Sequence, residues 1–267
     1  YLAYRELKAA VAESRARSGS VVVLDPRTGE VLAIANQPSY NPNEREQYRP
    51  ENYRNRAITD MYEPGSSFKP LVLAAALESG AFNPRSIIDT SPGKVIINDR
   101  VITEDNSNLG RVDLTTVLAK SSNVGAVRVA LTMEPKAIAE TLTGFGIGRL
   151  TDSAFPGETA GKLNDPNHWR TIGQATVCYG YGVAVTTLQL ARAYAAIAAG
   201  GTLRPVSLLA IDQAPPGERV ISAATTNHLT QMLEAVVAEG TGTRAAIRNF
   251  HVAGKWGTTR KAGVGGY

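Results

Sequence analysis

Cysteine is nearly absent from this chain of 267 residues, where Cys178 stands alone. No intrachain disulfide can form, which excludes a disulfide-stapled fold. Cys178 lies in the apolar stretch Ala175-Thr176-Val177-Cys178-Tyr179 with no histidine nearby, so it reads as a buried structural thiol rather than an activated nucleophile. Histidine is scarce too. His168, His228 and His251 stand far apart, with no carboxylate or cysteine at metal-ligand spacing, and no metal site is expected. No apolar run approaches the ~20 residues that a membrane-spanning helix needs, and no signal peptide is visible. Dense lysine and arginine runs are also missing. The net charge is +4, and the cations are mixed with acids, as in Arg45, Glu46, Arg49, Glu51 and Arg54. That pattern argues against a nucleic-acid partner.

What remains is an ordinary globular composition, 43% hydrophobic and 19% charged, in a chain long enough to bury a sizeable core as one large domain or two small ones. Residues 1–17 read as an amphipathic helix. Two β-branched apolar runs, 20–24 and 30–35, flank a turn at Asp25-Pro26-Arg27-Thr28-Gly29 and predict a hairpin. Residues 37–50, rich in Pro, Asn and Tyr, predict an ordered surface loop. Residues 66–79 are apolar on every side, the mark of a central helix buried by its neighbours. A short hairpin is expected within 92–103, helices over 114–120, 124–131 and 136–143, and a loop over 153–167. Helices follow over 186–199, stopped by Gly200-Gly201, and 225–239, stopped by Gly240-Thr241-Gly242; residues 250–259 read as a strand. A hairpin, then many helices, then a strand fits an α+β domain with a helical lobe inserted between strands of one antiparallel sheet.

The chemistry is concentrated in Glu63-Pro64-Gly65-Ser66-Ser67-Phe68-Lys69-Pro70. A Pro-Gly turn delivers Ser66 to the start of the central helix, and Lys69, three residues on, shares its face. A serine hydroxyl is a weak nucleophile until a neighbouring base takes its proton, and a lysine depressed by burial or by another cation can be that base. Alone, this spacing is better read as an N-cap serine beside a solvated lysine. Two further segments change the weighing: Ser121-Ser122-Asn123, between two predicted helices, and Lys255-Trp256-Gly257-Thr258 near the end. Ser-x-x-Lys, Ser-x-Asn and Lys-(Ser/Thr)-Gly, in that order, mark penicillin-recognising serine enzymes. Taken singly, Ser121 and Asn123 would be capping residues and Lys255 an edge-strand charge.

The likeness extends to Gly19-Ser20-Val21-Val22-Val23-Leu24-Asp25, Thr28-Gly29-Glu30-Val31-Leu32-Ala33, Tyr40-Asn41-Pro42-Asn43, Arg54-Asn55-Arg56-Ala57 and Tyr179-Gly180-Tyr181-Gly182. Over nearly its whole length the chain resembles class B penicillin-binding proteins, and among them the septal peptidoglycan transpeptidases of Gram-negative cell division. The resemblance implies the penicillin-binding-protein/β-lactamase-like fold, and serine D,D-transpeptidation with no metal or organic cofactor. Ser66 would be the acyl-accepting nucleophile. Lys69 would be its proton acceptor or would position the group that is. Ser121 would relay a proton to the leaving amine. Asn123 would bind the substrate amide and orient Lys69, and Lys255 would hold Ser121 and attract an anionic substrate. Gly257 and Thr258 would line the substrate cleft, with the N–H groups of Ser66 and Thr258 as the oxyanion hole, worth ~3 kcal/mol per donor in well-studied hydrolases. Implied partners are D-Ala-D-Ala stem peptides, β-lactams and division-machinery membrane proteins, a glycosyltransferase among them. The implied place is the periplasmic side of an inner-membrane anchor, and the anchor and a further non-catalytic module lie outside this chain. Residues 1–267 would be a transpeptidase domain cut short, since the family continues past the Lys255 motif with two more strands and a helix whereas this sequence runs only to Gly263-Val264-Gly265-Gly266-Tyr267.

Two rivals stand beside this reading. A carboxypeptidase or β-lactamase would pass the acyl group to water, and Glu158 in Pro156-Gly157-Glu158 is the loop acid to weigh, against a plain loop-fixing charge. A non-catalytic scaffold would keep the fold without the reaction. Trp256 is the feature that raises the second, because it replaces the small hydroxyl residue that helps the family anchor a substrate carboxylate. If the indole crowds the cleft, Trp256→Thr raises the rate of acylation by a β-lactam; an unchanged rate refutes the steric argument.

Overall fold

The computed structural model describes residues 1–44, 46, 49–104 and 108–259. Helix α1 (Leu2–Glu13) lies along a hairpin of β1 (Gly19–Leu24) and β2 (Val31–Gln37), in which Gly19 faces Gln37 and the register shifts between Val23 and Leu24. The turn joining the strands passes so close to Pro205 that a Cβ on Gly29 would sit 2.2 Å from that carbonyl oxygen. Two short helices follow, α2 (Pro50–Tyr53) and α3 (Arg56–Thr59). The expected surface loop is ordered by its own contacts: Asn41 Nδ2 donates to Glu44 Oε1 (2.8 Å), and the Tyr40 and Tyr53 rings meet edge-on at 5.0 Å. Arg45, Gln47 and Tyr48 of that loop lie outside the described residues.

Helix α4 (Lys69–Glu78) is central, as its all-round apolar sequence predicts, and every residue from Lys69 to Leu77 is buried. The expected helical start at Ser66 needs correction. Residues Gly65–Phe68 form a tighter 3-10 turn, in which Lys69 N bonds back to Ser66 O. The α-helical partner of that carbonyl would be the N–H of residue 70, which is proline and has none.

Strands β3 (Ile87–Asp89), β4 (Lys94–Ile97), β5 (Arg100–Thr103) and β6 (Arg111–Asp113) form two antiparallel pairs, β3 with β6 and β4 with β5. The second is the expected hairpin. Asp113 then caps α5 (Leu114–Ala119), its carboxylate accepting from Thr116 N at 2.7 Å, and Ser122 caps α6 (Asn123–Ala130). Helix α7 (Pro135–Gly144) comes next, then α8 (Thr171–Val177), which sequence reasoning did not anticipate. Helix α9 (Thr187–Ala198) opens with a reciprocal capping box of Thr186 and Gln189 and packs on β1. The short pair β7 (Thr202–Leu203) and β8 (Glu218–Arg219) precedes α10 (Ala223–Ala238). Helices α6, α7 and α10 surround α4, and Phe68, Leu71, Leu114, Leu118, Leu142, Phe145 and Leu229 fill the space between them.

The mixed helix-and-strand architecture is as expected, but residues 250–259 are not a strand. A strand exists by virtue of its ladder. Among the described residues, its backbone bonds include a turn, Phe250 N to Ile247 O (3.1 Å), and a contact to α10, Gly254 N to Leu233 O (3.2 Å). No described strand lies beside it. Residues 260–267, whose sequence suggested an early end to the sheet, lie outside the described residues.

Cys178, at the end of α8, is buried as its sequence context implies, and its Sγ lies 2.9 Å from Ala175 O. Burial pushes the thiol from its ordinary 9.0 up to about 12. The native protein should therefore resist iodoacetamide at pH 8, and the denatured chain should take up one label. As pH rises past 9.0 the unfolded thiol ionises while the folded one stays neutral, so this group removes stability between 9.0 and about 12. Labelling of the native protein at the rate of an exposed thiol would contradict this.

Candidate active site

Three segments far apart in sequence meet backbone to backbone at the first turn of α4. Gly65 has φ +57°, and a Cβ on it would lie 2.7 Å from Thr258 O. A Cβ on Gly180 would lie 2.2 Å from Gly65 O, and one on Gly257 would lie 2.6 Å from Ser67 N and 3.0 Å from Ser66 N. Side chains at these positions would push the segments apart. Polar contacts pin the same turn. Gly65 N reaches Gly180 O (3.3 Å), Ser67 Oγ donates to Pro64 O (2.6 Å), and Tyr194 OH donates to Ser67 O (2.7 Å). Glu63 accepts from Gly182 N (2.8 Å), which fits its reading as a turn-shaping residue. The partly buried Ser66 thus stands on a turn fixed from several sides.

Lys69 is wholly buried (0% exposed). Its ammonium donates to Ser121 O (2.5 Å), Asn123 Oδ1 (2.7 Å) and Ser121 Oγ (3.3 Å). A lysine has three donors, and all three find oxygen. The acceptors come from the junction of α5 and α6, 52 to 54 residues away. Ser121 there adopts φ +60°, a left-handed backbone uncommon for a non-glycine residue. Asn123, placed by the sequence in the turn, is the first residue of α6, and its Nδ2 donates to Thr103 O (3.1 Å). The structure therefore brings Ser66, Lys69, Ser121, Asn123, Gly257 and Thr258 into one neighbourhood.

The Lys255 ammonium donates to Trp256 O (2.7 Å) and lies 5.8 Å from the centre of the Trp256 ring. Adjacent residues of an extended segment point to opposite sides, and the lysine here folds back on its own neighbour. Trp256 is 53% exposed.

A family model described as the penicillin binding protein transpeptidase domain matches residues 19–267. The chain belongs to this family. It is 44% identical over 266 residues to peptidoglycan D,D-transpeptidase FtsI of Escherichia coli strain K12, which covers 99% of this chain and 45% of that protein. It is 42% identical over 267 residues to probable peptidoglycan D,D-transpeptidase PenA of Neisseria flavescens, covering 100% of this chain and 66% of that protein. The chain thus spans about half to two thirds of the length of these curated relatives. The apo structure of the TP domain of Burkholderia pseudomallei penicillin-binding protein 3 matches with a TM-score of 0.90 at 40% identity, over 100% of this chain and 77% of that one.

Within this transpeptidase domain, Glu158 proves to be a loop-fixing acid. It accepts from Thr151 N (2.7 Å), Thr151 Oγ1 (2.5 Å) and Ser153 Oγ (2.7 Å). The rings of Tyr179 and Tyr181 meet edge-on at 5.4 Å, and burial pushes the Tyr179 phenol up to about 12. Both are packing residues beside the site, as their glycine-flanked sequence suggests. Sequence reasoning missed Tyr194, Gly180 as a contact in its own right, and Glu104, whose carboxylate meets Ser122 and Asn123. Only Gly180 had a legible sign, the alternation of glycine and tyrosine over 179–182. Among the described residues no group of three His, Cys, Asp or Glu is placed to hold a metal ion.

Gly180→Ala should destabilise the domain by roughly 2–3 kcal/mol, through both the contact and its φ of +83°. Tyr194→Phe removes one hydrogen bond and should cost about 1 kcal/mol. Urea midpoints measure both, and equal losses would contradict the close-approach argument.

Proposed function

We propose that the protein is a serine D,D-transpeptidase that cross-links peptidoglycan stem peptides ending in D-Ala-D-Ala. The observation that carries this reading is the buried Lys69 ammonium, bonded to Ser121 and Asn123 one helical turn from Ser66. Ser66 Oγ attacks the carbonyl of the penultimate D-Ala. Its proton passes to Lys69, directly or through Ser121, once one of them holds a free lone pair. The carbonyl oxygen gathers negative charge between the N–H groups of Ser66 and Thr258. The C–N bond breaks, the terminal D-Ala leaves with the proton delivered through Ser121, and an ester remains on Ser66. The amine of a neighbouring stem then attacks that ester, gives up a proton along the same route, and releases Ser66. In a β-lactam the broken amide lies in a ring, so the leaving amine stays tethered and the ester persists. Asn123 would hold the substrate amide, and Lys255, Trp256 and Gly257 the far side of the cleft.

Both rivals lose support. Glu158 is fully engaged in its own loop, which weighs against a water-activating lactamase acid. A scaffold would have no need to bury a lysine charge, a costly arrangement unless each donor is satisfied. Residues 1–267 are best read as one transpeptidase domain of a longer, inner-membrane-anchored periplasmic protein with a further non-catalytic module. Among the described residues no helix is long and apolar enough to cross a membrane. Division-machinery proteins, including a glycosyltransferase, are its expected partners by family resemblance.

A fluorescent penicillin should label the folded protein covalently, and Ser66→Ala should abolish the label. Intact-mass measurement should show the adduct persisting rather than released within one assay. No label on folded wild-type protein would overturn the reading, and rapid release would favour the hydrolase.

A further inference from the structure

On the reading above, we propose that Glu104 is a positioning residue for the reaction, which sets the orientation of Asn123 and through it the place of Lys69. Glu104 follows directly on β5 and is partly buried. One carboxylate oxygen accepts from the Ser122 hydroxyl, and the other accepts from Asn123 N at 2.8 Å. The Ser122 hydroxyl in turn accepts from Gly125 N (2.8 Å), closing the cap of α6. The preceding carbonyl, Thr103 O, takes Asn123 Nδ2 at 3.1 Å. Residues 103 and 104 therefore grip Asn123 by its backbone and by its amide nitrogen together.

The consequence is a forced choice. A primary amide has one acceptor end and one donor end. With Nδ2 given to Thr103 O, Oδ1 must face Lys69, and it does so at 2.7 Å. The reverse orientation would aim a donor at an ammonium and leave Thr103 O unmatched. The Ser122 hydroxyl satisfies one first-turn donor of α6, Gly125 N. The second carboxylate bond takes Asn123 N, a first-turn donor that Ser122 leaves open, and in doing so it fixes the residue that holds the lysine. Negative charge at the start of α6 is also favourable to the helix dipole, so the clamp does not strain the helix it acts on. Ser121, just before the clamp, is held in its left-handed backbone by bonds on the same turn: Ser121 N to Leu118 O (3.1 Å) and Ser122 N to Val117 O (2.9 Å).

The test is a double-mutant cycle on the rate constant of penicillin acylation at saturating penicillin, using Glu104→Gln and Asn123→Ala. Glutamine keeps the size but has one acceptor oxygen for two donors. In the wild-type background Glu104→Gln should slow acylation about tenfold, and in the Asn123→Ala background less than twofold, because the effect passes through Asn123. Equal slowing in both backgrounds would mean a general structural role and would overturn the proposal, as would no slowing in either. Should Glu104→Gln fail to fold, Ser122→Ala removes one of the two clamp bonds and should slow acylation at least threefold; an unchanged rate would again overturn it. Wild-type protein that takes no label at all would instead refute the transpeptidase reading itself.

Discussion

Burial of the Lys69 ammonium is the constraint on which the rest of this structure depends. An unpaired charge in a protein interior costs several kcal/mol, so a buried lysine persists only where the fold supplies oxygen in the right directions. Those oxygens come from Ser121 and Asn123. The need to place them explains local features that look arbitrary in isolation. The chain breaks between α5 and α6 rather than running on as one helix. Ser121 takes a left-handed backbone that points both its carbonyl and its hydroxyl toward the lysine. The hairpin of β4 and β5 lies where its last residue can hold the asparagine amide.

The nucleophile turn obeys a different constraint, one of space. Gly65, Gly180 and Gly257 come from three segments, and each leaves no room for a side chain. Their backbones approach closely enough for the N–H of Ser66 to lie beside the segment carrying Thr258. Electrostatic stabilisation of a developing oxyanion requires donors fixed before the reaction begins. A turn held by backbone contacts, with Tyr194 bonded to Ser67 O, meets that requirement better than one held by flexible side chains. The tight 3-10 geometry over 65–68 belongs to the same design. Pro70 denies Ser66 O its α-helical partner, and the shorter-range bond from Lys69 takes its place.

How much of this could be read beforehand follows from the range of each interaction. The burial of α4 was legible because an all-round apolar helix has one stable place, the centre. The grouping of Ser66, Lys69, Ser121 and Asn123 was legible through the order of three short motifs, which encode a contact that no local pattern reveals. The reading failed where an element depends on a partner elsewhere. Residues 250–259 have the composition of a strand, but a strand forms only against another strand, and none of those described is beside them. Glu104 belongs to none of the three motifs, and its two partners lie 18 and 19 residues onward. An acid at the end of a hairpin looks solvated until the fold turns α6 back upon it.

Cys178 shows how the interior around Lys69 behaves as a medium. The thiol lies near enough to Lys69 for the ammonium to favour its ionisation, yet burial outweighs that attraction and pushes it up to about 12. In water a cation at short range would have moved the thiol the other way. Desolvation therefore wins over a single favourable charge in this part of the fold. The lysine sits in the same medium with its ammonium bonded to oxygens of Ser121 and Asn123.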